Sequence, residues 1–430
     1  MPVFRRLLVN SLLSGSSSAF LWFAVTFWVY IETKSVVATS MIGGVFALTS
    51  ALLGVGFGTY VDHHRKRHVM VLSTALSLGS FGIATVQYGL FKDRLLQLSS
   101  PHFWVFVLAI LIGAVAGNLR GIALSTCVTL LVPEDQRDRA NGMVGTINGL
   151  SFTLTSVFSG LVIGRLGMGW ALLISVMVTA LTLVQLLTIH FDEPDPVLES
   201  TPEEPKKFVD VAGALLAIRQ TRGLMALILF AAFNNLLGGI FMSLMDAYGL
   251  SLMSVESWGL MFAFLSVGFI VGGLIVARNG LGKNPLRLII MGNLVNWTIC
   301  MVFTSRSSIA LLAIGMLAWM TLMPVIEAAE QTVLQRAVAF ESQGRVFGFA
   351  QTIENLASPL TSFMIGPLAE VFFIPFMTEG RGVDLIGSWF GTGPERGLAL
   401  IFSLAGVCGV IGTLIARTSS SYRYLSKSMS

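Results

Sequence analysis

Twelve mostly apolar runs follow one another along this chain, from Leu7–Ile31 to Gly397–Ala416. Each has the length, about 20 residues, that one helical crossing of a bilayer needs. Inside the hydrocarbon layer every backbone N–H and C=O must find a partner, and a helix satisfies them within its own segment. The chain is therefore read as an all-α polytopic membrane protein with twelve transmembrane helices. Charge supports this. Only 12% of the 430 residues are charged and mean hydropathy is +0.79, whereas soluble domains carry about 25% charged residues. The 44 glycines suit close helix packing in lipid. Cys127, Cys300 and Cys408 stand singly in apolar runs and suggest no disulfide framework.

Basic residues set the orientation. With the N-terminus in the cytoplasm, nineteen Lys and Arg fall in cytoplasmic segments and seven in outer loops. Arg120 alone lies within a span. Positive charge stays on the inner side, so both termini are expected to be cytoplasmic in a multi-pass protein. The longest hydrophilic stretch opens with FDEPDPVLESTPEEPKK, rich in proline and acid, and reads as a flexible linker. Val211, Leu215 and Ile218 then mark an amphipathic helix on the inner membrane face. The expected organisation is a six-helix half over 1–190, a cytoplasmic linker with that helix over 191–222, a second six-helix half over 223–416 and a cytoplasmic tail over 417–430.

The halves repeat. Shifted by 206 positions, RANGMVGTINGL from Arg139 meets RVFGFAQTIENL from Arg345, with five of twelve positions identical. Gly54 and Gly58 of span 2 are echoed by Gly268 and Gly272 of span 8. Pseudo-symmetric halves are an architecture of secondary transporters, which bind substrate near the midplane. No GxxxxGK[ST] phosphate loop appears, so ATP is not the expected energy source and no cofactor is expected. His63, His64 and His68 cluster in one loop without a cysteine or a second cluster, so no metal site is expected.

Three segments carry a resemblance. GTYVDHHRKR, from Gly58 to Arg67, resembles the signature of the major facilitator superfamily: a glycine, an acid four on, then a basic cluster. Gly58, Asp62, Lys66 and Arg67 match it, while Arg65 stands where a glycine is usual. LLVPEDQRDRANG after span 4 and ESQGRVFGFAQTIENLASP into span 11 resemble the drug-exporter branch that includes macrolide efflux proteins and the enterobactin exporter. The resemblance implies the major facilitator fold, with spans 1, 4, 7 and 10 around a central cavity, in a bacterial inner membrane. It implies export of a hydrophobic or amphipathic small molecule by proton antiport with alternating access, not an enzyme. Two features depart from the antiporter pattern. No arginine stands near Gly113 in span 4, and span 5 lacks a Gly-Pro pair. Rival readings are a siderophore or lipid transporter and a non-transporting sensor or scaffold. The expected partners are the substrate, protons and the lipid bilayer, with no nucleic acid, and the chain is expected to be a monomer.

Charges in hydrocarbon cost roughly 2.5–3.5 kcal/mol on insertion scales and are functional candidates by default. Glu327, Glu330 and Glu354 are the expected proton-coupling residues. Arg120 aligns with Ile326 under the 206 shift, so it is expected at the depth of Glu327, as its ion partner or a substrate contact, the alternative being an arginine that braces span 4 against backbone carbonyls. Asn118, Asn234, Asn235, Phe20 and Phe23 are the other expected cavity residues. Gly58, Asp62, Lys66, Arg67, Arg139 and Arg345 are expected at the cytoplasmic gate. There the resemblance implies a latch through Asp62. Span 8 has Val276 at the equivalent place, so the latch is expected on one side only.

Overall fold

The structure is a computed structural model that describes residues 2–33, 36–95, 97, 99–193 and 209–428. Among the described residues the secondary structure is helical throughout, and twelve helices are long and apolar enough to cross a membrane. Spans 1 to 6 are Pro2–Thr33, Met41–His63, Lys66–Arg94, Pro101–Leu131, Glu134–Arg165 and Met168–Thr188. Spans 7 to 12 are Leu224–Leu252, Ser257–Asn279, Pro285–Val302, Ile309–Ala337, Phe340–Thr378 and Pro394–Thr418. Outward faces carry bare apolar side chains, such as Leu181, Val184, Phe363 and Met364. Such faces suit contact with lipid rather than water.

Local chemistry explains where spans depart from plain helix. Span 8 is two helices, Val255–Leu265 and Val267–Asn279, meeting at Ser266. The Ser266 hydroxyl donates back to the Ala263 carbonyl and lies 3.2 Å from the Thr153 hydroxyl of span 5. Span 11 contains Pro359 and Pro367 and passes through a π-turn at Ala369–Phe373. Proline removes a backbone donor, and such loosened turns gather at working parts of helices. The loop after span 11 folds into Arg381–Phe390, a short helix absent from the sequence reading.

Three apolar cores organise the bundle. One is confined to the first six spans, around Phe20, Trp28, Phe81 and Phe106. A second is confined to the last six, around Phe241, Trp297, Phe303 and Phe402. The third draws on both sets, joining Phe4, Val61 and Ile122 to Leu224, Val333, Val346 and Leu425. Phe4 and Leu425 show that this shared core lies at the face bearing both chain ends. The two sets of spans are thus fused at the terminus face, while beyond it each keeps its own core.

Two glycine seams make the fusion. In spans 2 and 11, a Cβ on Gly58 would collide with the Gly344 carbonyl, and one on Gly348 with the Gly54 carbonyl. In spans 5 and 8, a Cβ on Gly142 would run into the Val276–Ala277 backbone. Small residues let backbones meet this closely.

The expected linker falls partly on residues 194–208, outside those described. Its helix is present at Val211–Gln220, where the Asp210 carboxylate accepts from the Gly213 N–H. Ala214 and Ile218 are buried, and Ile218 belongs to the shared core. The helix therefore turns that stripe to the ends of the spans. Val211 and Leu216 remain exposed.

Candidate functional site

Apolar helices leave little choice about where polar side chains go: those that do not meet each other must line a wet space. Such a space exists. A cavity of about 540 Å³ lies between spans 4, 5, 7, 9, 10 and 11. Glu327 and Glu330 enter it from span 10 and Glu354 from span 11. Glu330 and Glu354 come within side-chain hydrogen-bonding reach, and Glu327 is beside them. Asn234 and Asn235 face it from span 7, and the Trp297 indole donates to the Asn234 carbonyl oxygen at 2.7 Å. Among the described residues no lining side chain is basic. Four buried oxygens of the wall lack a hydrogen-bond partner among the described residues: those of Asn296, Glu330, Gln331 and Gln351. All are acceptors, so the wall favours an occupant that brings donors.

The structure places the acids, Asn234 and Asn235 at one cavity; the remaining cavity candidates are not there. Arg120 is 4% exposed and turned into the first six spans. Its guanidinium donates to Thr74 Oγ1 at 2.8 Å, to Ser11 Oγ at 3.4 Å and to Asn10 Oδ1. Asn10 in turn donates to the Thr182 carbonyl at 2.8 Å. Arg120 thus braces span 4 against spans 3, 1 and 6, and the expected pair with Glu327 is not formed. The guanidinium finds its acceptors, Asn10, Ser11 and Thr74, within the first six spans instead. The partner of Glu327 under the 206 shift is Gly121, which does line the cavity. Leu124 and Asn148, the counterparts of Glu330 and Glu354, line it too. Phe20 is buried in the core of the first six spans, and half-buried Phe23 lies against Phe27, ring centres 6.2 Å apart. Asn118 is half-buried outside the cavity wall. Gly113 presses on the Phe81 ring, where no side chain fits.

Arg120→Ala combined with Glu327→Gln should therefore be additive, within the roughly 0.3–0.5 kcal/mol typical of separate sites. Arg120→Ala alone should destabilise the protein, since it strips buried Asn10 and Thr74 of a charged donor. Thermal unfolding of the four proteins in detergent checks both; a coupling above about 1 kcal/mol contradicts the observed geometry.

At the terminus face, Asp62 is 7% exposed and reaches across the seam. It accepts from the Gly344 N–H at 2.6 Å, the Arg345 N–H at 2.9 Å and Arg345 Nε at 3.1 Å. Those N–H groups belong to the first turn of span 11, where a helix has donors to spare and favours negative charge. Arg345 also donates to Asp210 of the linker at 3.1 Å, and the Asp210 N–H donates to Thr59 of span 2. One chain of contacts therefore links both sets of spans and the linker helix.

The contact is not one-sided, contrary to expectation. At the other seam the carboxylate comes from span 5. Asp138 accepts from the Leu281 N–H at 2.9 Å, in the loop after span 8. Acid and donor segment have exchanged places between the two seams, so a search for an acid near Val276 misses it. Its signal lies in the DRANG segment, an acid in the first turn of a helix. Sequence reading also misses the amides beneath. Asn141 donates to Thr332 and Gln335 at 2.8 Å each, and Gln335 donates to the Ser125 carbonyl. They tie spans 4 and 5 to span 10.

The other gate candidates serve different contacts. Lys66 Nζ donates to the Val61 carbonyl at 2.7 Å, capping span 2, and sits 5.3 Å over the Phe340 ring across the seam. Arg67 caps span 6 through the Ile189 and Leu187 carbonyls. Arg139 is exposed, so it is no counterpart of Arg345 despite the repeat.

Twelve helices in two pseudo-symmetric sets, closed at one face around a polar cavity, define a membrane transporter. The match to a family model is specific: residues 7–362 fit the Major Facilitator Superfamily, and the chain belongs to that family. Macrolide efflux protein A of Streptococcus pyogenes is 20% identical over 355 residues, covering 80% of this chain and 84% of the relative. Macrolide efflux protein A of Enterococcus faecalis is 20% identical over 326 residues, covering 73% and 95%. Among solved structures, a bacterial homologue of the iron transporter ferroportin in an outward-facing state aligns with a TM-score of 0.71 at 14% identity, over 97% of this chain and all of that one. The human organic anion transporter MFSD10 (TETRAN) aligns with a TM-score of 0.69 at 14% identity, over 95% and 99%.

Proposed function

We propose that this transporter is a proton antiporter of a bacterial inner membrane, exporting an amphipathic small molecule as a monomer, with both termini in the cytoplasm. The terminus face is then the inner gate, drawn closed. The single observation that carries the reading is the placement of Glu354. It meets Glu330 in the cavity and rides on the helix whose first turn is held by Asp62. Nine residues separate Arg345 from Glu354, roughly 14 Å of helix. Two carboxyls at hydrogen-bonding reach can hold one proton between them. Losing or gaining that proton changes the charge on a helix that also forms the gate. An occupant with positive charge or N–H donors competes for the same oxygens, which is the exchange an antiporter needs. Its similarity to macrolide efflux proteins supports export of a drug-like molecule.

Purified protein in proteoliposomes tests this. Uptake of a panel of amphipathic compounds is followed with and without an imposed pH gradient. The expected result is accumulation of at least one compound that collapses when the gradient is abolished. Accumulation indifferent to the gradient overturns antiport. No movement of any compound, with or against a gradient, overturns transport.

A further inference from the structure

The walls of the last six spans contain a second space that the acid cluster does not explain. It is a recess of about 120 Å³ among spans 7, 8, 9 and 10. Its lining includes Phe241, Cys300, Phe303, Met316 and Met320. The one charged side chain at its wall, Asp246, accepts from the Trp258 indole N–H at 2.9 Å. Apolar cavities of about this size, near 150 Å³, stay dry and take up benzene-sized groups. Methionine adapts to the shape of what it meets and makes favourable contacts with aromatic rings. Met242 and Trp319 line both this recess and the large cavity. The two spaces are therefore neighbours with a shared wall.

We infer that the recess is an apolar subsite that seats a single ring of the transported molecule while its polar head lies among Glu327, Glu330 and Glu354. This rests on the transport reading above and adds to it the shape of the substrate: a donor-bearing or cationic head joined to one six-membered ring by a link of roughly 10 Å, the helix rise from Met320 to Glu327. Met242 and Trp319 form the sill over which that link passes. The residues behind the sill then set specificity by ring size, and the acids by head charge.

The test compares two probes with the same head, tetramethylammonium and a trimethylammonium joined to a benzyl group by a five-carbon chain, long enough to span roughly 10 Å of helix rise. Full-length protein in nanodiscs carries ¹³C-methyl methionine, with signals assigned by single Met→Leu changes. The benzyl probe should shift Met316 and Met320 through its ring current, and Met323 of the large cavity as well. Tetramethylammonium should shift Met323 and leave Met316 and Met320 in place. Cys300→Phe fills the recess from its wall. It should erase the Met316 and Met320 shifts and weaken the benzyl probe roughly tenfold or more, as loss of an apolar pocket does. Binding of tetramethylammonium should stay unchanged. A benzyl probe that moves Met323 but neither Met316 nor Met320 overturns the subsite, and so does a benzyl probe that moves none of the three. If Cys300→Phe fails to fold, the wild-type titrations decide alone. Intact shifts at Met316 and Met320 in protein that transports nothing in vesicles count against the transport reading and leave the subsite standing.

Discussion

Glu354→Gln is expected to abolish pH-driven accumulation while downhill exchange of substrate continues. One proton exchanged per cycle lets a gradient of one pH unit support about tenfold accumulation, since a factor of ten is about 1.4 kcal/mol. Without a carboxyl that changes charge, the ratio should fall to unity. Downhill exchange needs only binding and rocking of the two sets of spans, and glutamine preserves the shape of the site. Glu330→Gln should act alike, because Glu330 and Glu354 meet within the same cavity. Groups that work as one unit are not additive. The Glu330→Gln, Glu354→Gln protein should therefore be no worse than either single change. Glu327→Gln tests the third acid of the wall. Vesicle uptake at fixed substrate, with the gradient on and then collapsed, reads all four variants. Tenfold accumulation surviving in Glu354→Gln removes this residue from coupling, and a stepwise worsening in the double variant separates the pair.

The acids are legible in sequence because carboxylates are rare in apolar runs and must converge on something wet. The same logic misleads at Arg120. Helix rise gives depth, but the direction a side chain takes depends on the acceptors within its reach, and those of Arg120 lie within the first six spans. Asn10 and Thr74, whose neutral side chains receive that guanidinium, give no warning. Phe20 fails for another reason. Aromatic residues fill cores as readily as cavity walls, and only the packing around Phe81 and Phe106 decides between them. The number of spans follows from hydropathy alone. The break at Ser266 and the helix at Arg381–Phe390 do not, since each depends on contacts distant in sequence or on a periodicity too short to stand out. Asp62 is visible through its spacing from Gly58. Its counterpart Asp138 is hidden from a search that assumes the same helix pair with the same donor. The fold satisfies the seam equally well from the opposite side.

Asp62→Asn should loosen the terminus face. The native carboxylate accepts three hydrogen bonds, two from the first turn of span 11 and one from the Arg345 guanidinium. Asparagine keeps one acceptor oxygen and turns an NH₂ group towards groups that are themselves donors. Hydrogen bonds to charged partners are worth roughly 1.5–3 kcal/mol each. Loss of the charge should therefore disfavour the closed arrangement on the order of 100-fold, against about 2.7 kcal/mol of lost contact. Folding should survive, because the change only weights one conformation against another and leaves the cores of both sets of spans alone. The measurement is accessibility. In a background with Cys127, Cys300 and Cys408 replaced, a cysteine at Leu334 sits on the cavity wall below the seam, where the native side chain is 1% exposed. Labelling by a membrane-impermeant maleimide applied to the terminus face should be slow in protein that keeps Asp62 and fast in the Asp62→Asn variant. Asp138→Asn should add to it, since the two seams lie apart and hold the same face. Transport should slow as well, because a cycle that cannot hold this face shut leaks the gradient it uses. Unchanged labelling and unchanged turnover in a correctly inserted Asp62→Asn protein would reduce the Asp62 contact to helix capping. The face would then be held by its glycines, by Asp138 at the other seam and by the amides of Asn141 and Gln335.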